Sequence, residues 1–119
     1  ITQLFFNNDY FFDFVQRVRD IGITVPIIPG IMPILSAKQI KRITSMCGTT
    51  IPKVLREKLD AAVEDDDKAR DIGMKQCIKQ SKELLARGVP GIHFYVLNKS
   101  SHMIRIMEAL SEDLQKLRA

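Results

Sequence analysis

The chain has 119 residues, 45% of them hydrophobic, with 18 Lys and Arg against 14 Asp and Glu. That length fits one domain with a real core, which excludes a disordered chain, and no run of about 18 apolar residues is present to span a membrane. The net charge of +4 comes from scattered basic residues with no run of five, which describes a solvated surface with a mild preference for anionic small molecules, not a nucleic-acid footprint.

ITQLFF, Ile1 to Phe6, is short, apolar and strand-like, and it opens without Met, as a sequence cut into would. The following NND offers helix-capping side chains, and Phe11, Phe14, Val15 and Val18 then recur at helical spacing. Gly22 closes that helix. Residues 24–29 of ITVPIIPGIMP are almost wholly apolar and predict a second strand with both faces covered, although Pro26 has no donor for a ladder. Pro29, Gly30 and Pro33 predict an irregular loop after it.

Ser36 caps a helix carrying Ile40, Ile43 and Cys47, which Gly48 ends. Pro52 suits the first turn of the next helix. The acidic run Glu64 to Asp67 precedes a long helix over 68–87, where negative charge offsets the positive end of the dipole. Consecutive acids at a helix start point apart, so this run predicts no metal site. Met74, Cys77, Ile78, Ser81 and Leu85 form the inward stripe, and Gly88 stops the helix. GIHFYVLN, with its core over 91–97, predicts the third strand. Met103, Met107, Leu110, Leu114 and Leu117 form a packing seam on a final helix.

Cys47 and Cys77 have no CxxC spacing and no histidine nearby, which describes small buried residues in a reducing cytoplasm. In that compartment the sequon Asn98-Lys99-Ser100 is a chance match.

Strands alternating with helices predict an α/β fold with parallel strands and right-handed crossovers. Three such strands leave two open edges, and natural sheets cover their edges. An eight-stranded barrel solves this by closure with about 250 residues. The economical expectation is that residues 1–119 are one segment, the last three β/α units of a (β/α)8 TIM barrel, with strands near 1–6, 24–29 and 91–97.

Side chains two apart share a face of a strand. His93, Tyr95 and Leu97 therefore face together, with Phe94 and Val96 toward a helix layer. A barrel would aim His93 and Tyr95 at its axis near the active-site mouth. His93 alone reads as structural, through a hydrogen bond to a neighbouring strand. Gln3 is either a core amide satisfied by backbone or an amide offered to a heterocycle's edge.

Taken together and in this order, ITQLFF, IIPGIMP and GIHFYVLN resemble methylenetetrahydrofolate reductase over essentially the whole chain. The resemblance implies an FAD enzyme in which NAD(P)H reduces the flavin. The flavin then passes hydride to 5,10-methylenetetrahydrofolate, giving 5-methyltetrahydrofolate for methionine biosynthesis. It implies that Gln3 touches both nicotinamide and folate, that Gln39 is a second folate contact, and that Tyr95 lines the substrate mouth, so Gln3 and Tyr95 are expected to aim into one hollow. Lys99 falls where arginine is frequent, keeping the charge for the folate's glutamate tail but losing the bidentate fork. Ile43 falls where some members place an aromatic residue, so its contact would be aliphatic.

The general acid and most FAD contacts belong to earlier strands of that family. No catalytic residue is therefore expected in this segment, and the chain alone is expected to be inactive. The full-length protein is expected to be a homo-oligomer. The competing expectation, from another class, is a non-catalytic α/β module that binds a protein partner through exposed strand edges.

Overall fold

The computed structural model describes residues 1–96 and 100–118. Leu97, Asn98 and Lys99 lie outside the described residues, as do the Ser100 and Leu117 side chains. Among the described residues five helices and a small parallel sheet alternate: α1 (Asn8–Asp20), β1 (Gly30–Ile31), α2 (Ala37–Cys47), α3 (Lys53–Ala61), α4 (Asp66–Ala86), β2 (His93–Phe94) and α5 (Ser100–Arg118).

The helix boundaries follow from local chemistry. Asn7 accepts from the Asp9 amide, Ser36 from the Gln39 amide and Asp65 from the Lys68 amide, each satisfying a donor that its helix leaves free. Each such cap contributes about 1 kcal/mol. Gly48 follows α2 in the left-handed region, at φ 69°. The acidic run sits at the start of α4 as expected, with Asp65 as the cap and Asp66 and Asp67 in the first turn.

The sheet differs from the sequence expectation in its second strand. Pairing falls on Gly30 and Ile31, opposite His93 and Phe94, and not on 24–29. The Pro26 and Pro29 rings have no N–H to give, so the ladder uses carbonyls. The Thr2 amide donates to Ile28 O at 2.9 Å, His93 to Pro29 O at 2.9 Å and Tyr95 to Ile31 O at 2.8 Å. Residues 23–25 turn to α1 instead, where Arg19 donates to the Ile23 and Val25 carbonyls, both at 2.9 Å. Ile23 and Val25 are exposed, so this stretch is not a strand covered on both faces.

Leu4 forms a parallel bridge to Gly30, which places the 1–6 segment on the other side of β1 from β2. The three extended segments thus lie side by side in chain order. Helices cover both faces. Leu4, Phe6, Met32 and Ile34 pack with Ile40 of α2 and with Leu55 and Leu59 of α3. Ile31 packs on the other side with Phe11 of α1, Met74, Cys77 and Leu84 of α4, and Ile106 and Leu110 of α5.

The inward stripe of α4 is as read, with Met74, Cys77, Ser81 and Leu85 buried. On α5, however, Ile106 is fully buried while Met107 is 44% exposed. A straight helix turns 3.6 residues, so the seam from Met103 to Leu110 passes through 106. Phe14 is also exposed, leaving Phe11 as the buried anchor of α1, stacked on Phe5 at 5.3 Å between ring centroids.

Candidate functional site

Parallel strands align their carboxyl ends, so the segments following Phe6, Ile31 and Phe94 leave the sheet at one end. Most of the site residues expected from sequence lie at or near that end. Register decides where they aim. Leu4, Gly30 and His93 are paired neighbours and share a face, and Tyr95, two residues on, shares it with them.

His93 and Tyr95 do face together. Their rings meet edge to face, 4.7 Å apart and inclined at 72°. Phe94 joins the opposite, helix-covered side, as its parity predicts. Tyr95 packs on the same apolar cluster as Ile43, at half-buried positions. Gln39 stands one turn before Ile43 on α2. Its Oε1 accepts from the Leu35 amide at 3.2 Å while its own amide donates to Ser36 Oγ at 3.0 Å. This is close to a capping box, and it fixes the side chain with Nε2 left as a donor.

Gln3 does not join them. It directly precedes Leu4, and alternation therefore turns it to the face opposite Tyr95. The expectation that Gln3 and Tyr95 aim into one hollow is corrected by this one-residue difference in register. Gln3 is exposed, and its Oε1 accepts only from the adjacent Leu4 amide at 3.1 Å. It borders an open groove of about 720 Å³ along the edge of the 1–6 segment, between Tyr10 and Phe14 of α1 with Val25 to Ile27 on one side and Cys47 to Thr50 at the end of α2 on the other. Gln39, Ile43 and Tyr95 are not among the residues lining that groove.

The backbone around Gln3 is held by side chains that the sequence reading did not single out. Thr2 donates from its amide to Ile28 O, accepts at Oγ1 from the Gly30 amide at 3.0 Å, and donates from Oγ1 to Gln3 O at 2.9 Å. Its carbonyl accepts from the Tyr95 hydroxyl at 2.8 Å. Thr49 donates to Leu4 O at 3.1 Å, and Gln80 of α4 donates to Phe5 O at 2.9 Å.

Gln80 is 4% exposed, and its own carbonyl accepts from Asn8 Nδ2 at 3.1 Å. The signal for Gln80 was present in sequence, as a polar residue three positions after Cys77 on the buried face of α4. Gly30 had its signal in the Pro-Gly pair. A Cβ there would stand 2.6 Å from Thr2 O and 2.6 Å from the Tyr95 ring, so only glycine lets the ring cross β1.

The Gln3, Gln39 and Gln80 amides and the Thr2 and Thr49 hydroxyls offer hydrogen bonds. Burial pushes the Cys77 thiol up to about 12, so it stays protonated and is no nucleophile. No group of three His, Cys, Asp or Glu among the described residues is placed to hold a metal ion. No described helix is long and apolar enough to cross a membrane.

The family model described as methylenetetrahydrofolate reductase matches residues 1–111. The chain belongs to this family. It is 41% identical over 111 residues to a probable methylenetetrahydrofolate reductase (NADPH) of Caenorhabditis elegans, covering 92% of this chain and 17% of the worm protein. It is 39% identical over 107 residues to methylenetetrahydrofolate reductase (NADH) 1 of Zea mays, covering 90% of this chain and 18% of the maize protein. The 5,10-methylenetetrahydrofolate reductase of Buchnera aphidicola is 40% identical over 100 residues, covering 84% of this chain and 34% of that protein. The chain thus spans between about a sixth and a third of the length of these relatives.

FAD, which the resemblance implies, finds no pyrophosphate cradle among the described residues. The three positive-φ glycines, Gly22, Gly48 and Gly88, each follow a helix C-terminus, where the dipole is negative and carbonyls point outward. These residues do not fit the group, and no step through flavin is derived from them.

Proposed function

We propose that this chain supplies part of the folate and nicotinamide site of an FAD-dependent reductase that converts 5,10-methylenetetrahydrofolate to 5-methyltetrahydrofolate with NAD(P)H. Residues 1–119 are then one segment of its catalytic domain, the last three β/α units of a (β/α)8 barrel. The observation that carries this reading is the parallel pairing Leu4–Gly30–His93 in chain order, because consecutive staves of a barrel are neighbours in that sequence. The family assignment supports it.

On this reading Gln39 donates from its free Nε2 to the folate, and Ile43 supplies an aliphatic wall beside it. Lys99 meets the glutamate tail as a point charge. The Tyr95 hydroxyl gives its proton to Thr2 O, so Tyr95 offers the substrate mouth its ring and an acceptor oxygen but no donor. Gln3 is the nicotinamide and pterin contact that the family resemblance implies; it lies on the opposite face of the sheet from Gln39, Ile43 and Tyr95, so its role is tested separately from theirs.

The general acid and the flavin are held by other parts of the full-length protein, so the 119-residue chain alone is inactive and binds no FAD tightly. The full-length enzyme is a cytoplasmic homo-oligomer serving methionine biosynthesis. The test is Gln3→Ala in a full-length reductase containing this segment, followed by stopped-flow of the two half-reactions. Both the nicotinamide and the folate half-reaction slow; if neither rate moves, Gln3 is a structural amide and its substrate role is withdrawn.

A further inference from the structure

We infer that Tyr95 is a positioning residue for Gln3, acting from the other face of the sheet through the Thr2 carbonyl. The inference rests on the reading that Gln3 touches the substrates, and it gives the Tyr95 hydroxyl work that a substrate contact would not explain. Tyr95 lies on the third extended segment and Gln3 on the first, with β1 between them. The Tyr95 side chain passes from one to the other over Gly30. The missing Cβ makes room for the Tyr95 ring to cross β1, and the hydroxyl then reaches Thr2 O at 2.8 Å.

Thr2 converts that contact into a fixed backbone. All of its polar groups are engaged: the amide on Ile28 O, Oγ1 between the Gly30 amide and Gln3 O, and the carbonyl on Tyr95. The Thr2 carbonyl belongs to the peptide whose nitrogen is that of Gln3. Holding it fixes the plane of that peptide, and with the next peptide held at Gln3 O by Thr2 Oγ1 both planes that set the direction of the Gln3 Cα–Cβ bond are fixed. The far side of Gln3 is held independently, by Thr49 on Leu4 O and Gln80 on Phe5 O. Without the hydroxyl, Thr2 keeps its bonds to Ile28 O, the Gly30 amide and Gln3 O but loses the one on its carbonyl, and the Thr2–Gln3 peptide is held less firmly. The phenol thus adds to the preorganisation of the Gln3 amide.

The test is a double-mutant cycle in a full-length reductase containing this segment. Equilibrium affinities for 5-methyltetrahydrofolate and for the nicotinamide cofactor are measured without turnover, in wild type, Tyr95→Phe, Gln3→Ala and the double variant. Phenylalanine keeps the ring over Gly30 and removes one oxygen. Tyr95→Phe is expected to weaken both ligands by about three- to tenfold, the range for one lost neutral hydrogen bond. The double variant is expected to bind no worse than Gln3→Ala alone, because the phenol works through Gln3.

Independent, multiplying losses would overturn the inference, as would a Tyr95→Phe variant that binds both ligands normally while Gln3→Ala does not. Amide hydrogen exchange at Gln3 and Leu4 provides the readout that separates the two claims. If Gln3→Ala leaves both affinities unchanged, the substrate reading of Gln3 fails and the positioning role for catalysis falls with it. Faster exchange in Tyr95→Phe would then still mark the hydroxyl as a backbone latch, and unchanged exchange would remove even that.

Discussion

Gly73 sets two principles against each other, and the structure decides between them. Glycine in a helix interior is about 1 kcal/mol less favourable than alanine, so propensity alone says that Gly73→Ala stabilises α4. Gly73 is buried where α4 crosses the chain at Ile34. A Cβ there would overlap the Ile34 carbonyl oxygen and stand 2.6 Å from Ile34 Cβ and 2.9 Å from Ile34 C.

Two of those three atoms are backbone and cannot swing aside. Overpacking of this kind costs about 1–3 kcal/mol even where side chains can relax, and the Ile34 backbone leaves the upper part of that range. The net loss is therefore about 1–2 kcal/mol. At about 2.1 cal/mol/K per residue, a chain this long loses roughly 4 °C in melting temperature per kcal/mol, so a drop of about 4–8 °C is expected.

Circular-dichroism melting of the variant beside Gly91→Ala makes the comparison. Gly91 has open space around its Cβ position and no positive φ, so alanine there is neutral or stabilising by up to about 1 kcal/mol. A Gly73→Ala melt equal to or above wild type would refute the packing argument.

Two further outcomes follow from the burial of the cysteines, and a third from the proposed role of Lys99. Cys47 is half-buried and Cys77 buried, so a thiol reagent titrates one cysteine in the native chain and both after denaturation; rapid native labelling of Cys77 would contradict its placement. Because folding raises the Cys77 pKa from its ordinary value of 9.0 to about 12, the folded state holds a proton that the unfolded chain releases in that window. Stability is thus full below about pH 9 and falls as pH rises toward 12, and Cys77→Ala, which no longer titrates, flattens that decline in an alkaline melting series. Lys99→Ala in the full-length enzyme raises the folate requirement several-fold while leaving flavin reduction by the nicotinamide cofactor nearly untouched; steady-state kinetics beside the reductive half-reaction measure the split, and equal losses in both would remove Lys99 from the glutamate tail.

Much of this arrangement is legible in the sequence because it is local. Ser36, Gly48 and Gly88 mark helix ends through their own backbone chemistry, and the inward stripe of α4 follows from helical spacing. The parity of His93, Phe94 and Tyr95 also survives, since alternation within one strand needs no partner. Val96, expected beside Phe94 on the helix side, is exposed, however, and Leu97 lies outside the described residues. What fails is relative register. No residue in ITQLFF states whether Leu4 or Gln3 will lie beside Gly30, because both faces of that short segment carry apolar side chains. A one-residue choice then sends Gln3 to the α1 side. The second strand moved for a similar reason: apolar content marked 24–29, but two prolines shifted the ladder to the first residues whose neighbours can approach closely on both sides.

The free flank of the 1–6 segment also bears on the competing reading, a module that recruits a partner by strand addition. Such a partner needs backbone carbonyls and amides in a row. Here the carbonyls of Thr2, Gln3, Leu4, Phe5 and Phe6 already accept from Tyr95, Thr2, Thr49, Gln80 and Gln76. The barrel reading also places a preceding stave along this flank, so exchanging side-chain donors for ladder bonds does not separate the two readings. What separates them is the side chain between the fixed carbonyls. That side chain is Gln3, exposed at the edge of an open groove, and stiffness there serves the recognition of a small ligand more than the capture of a strand.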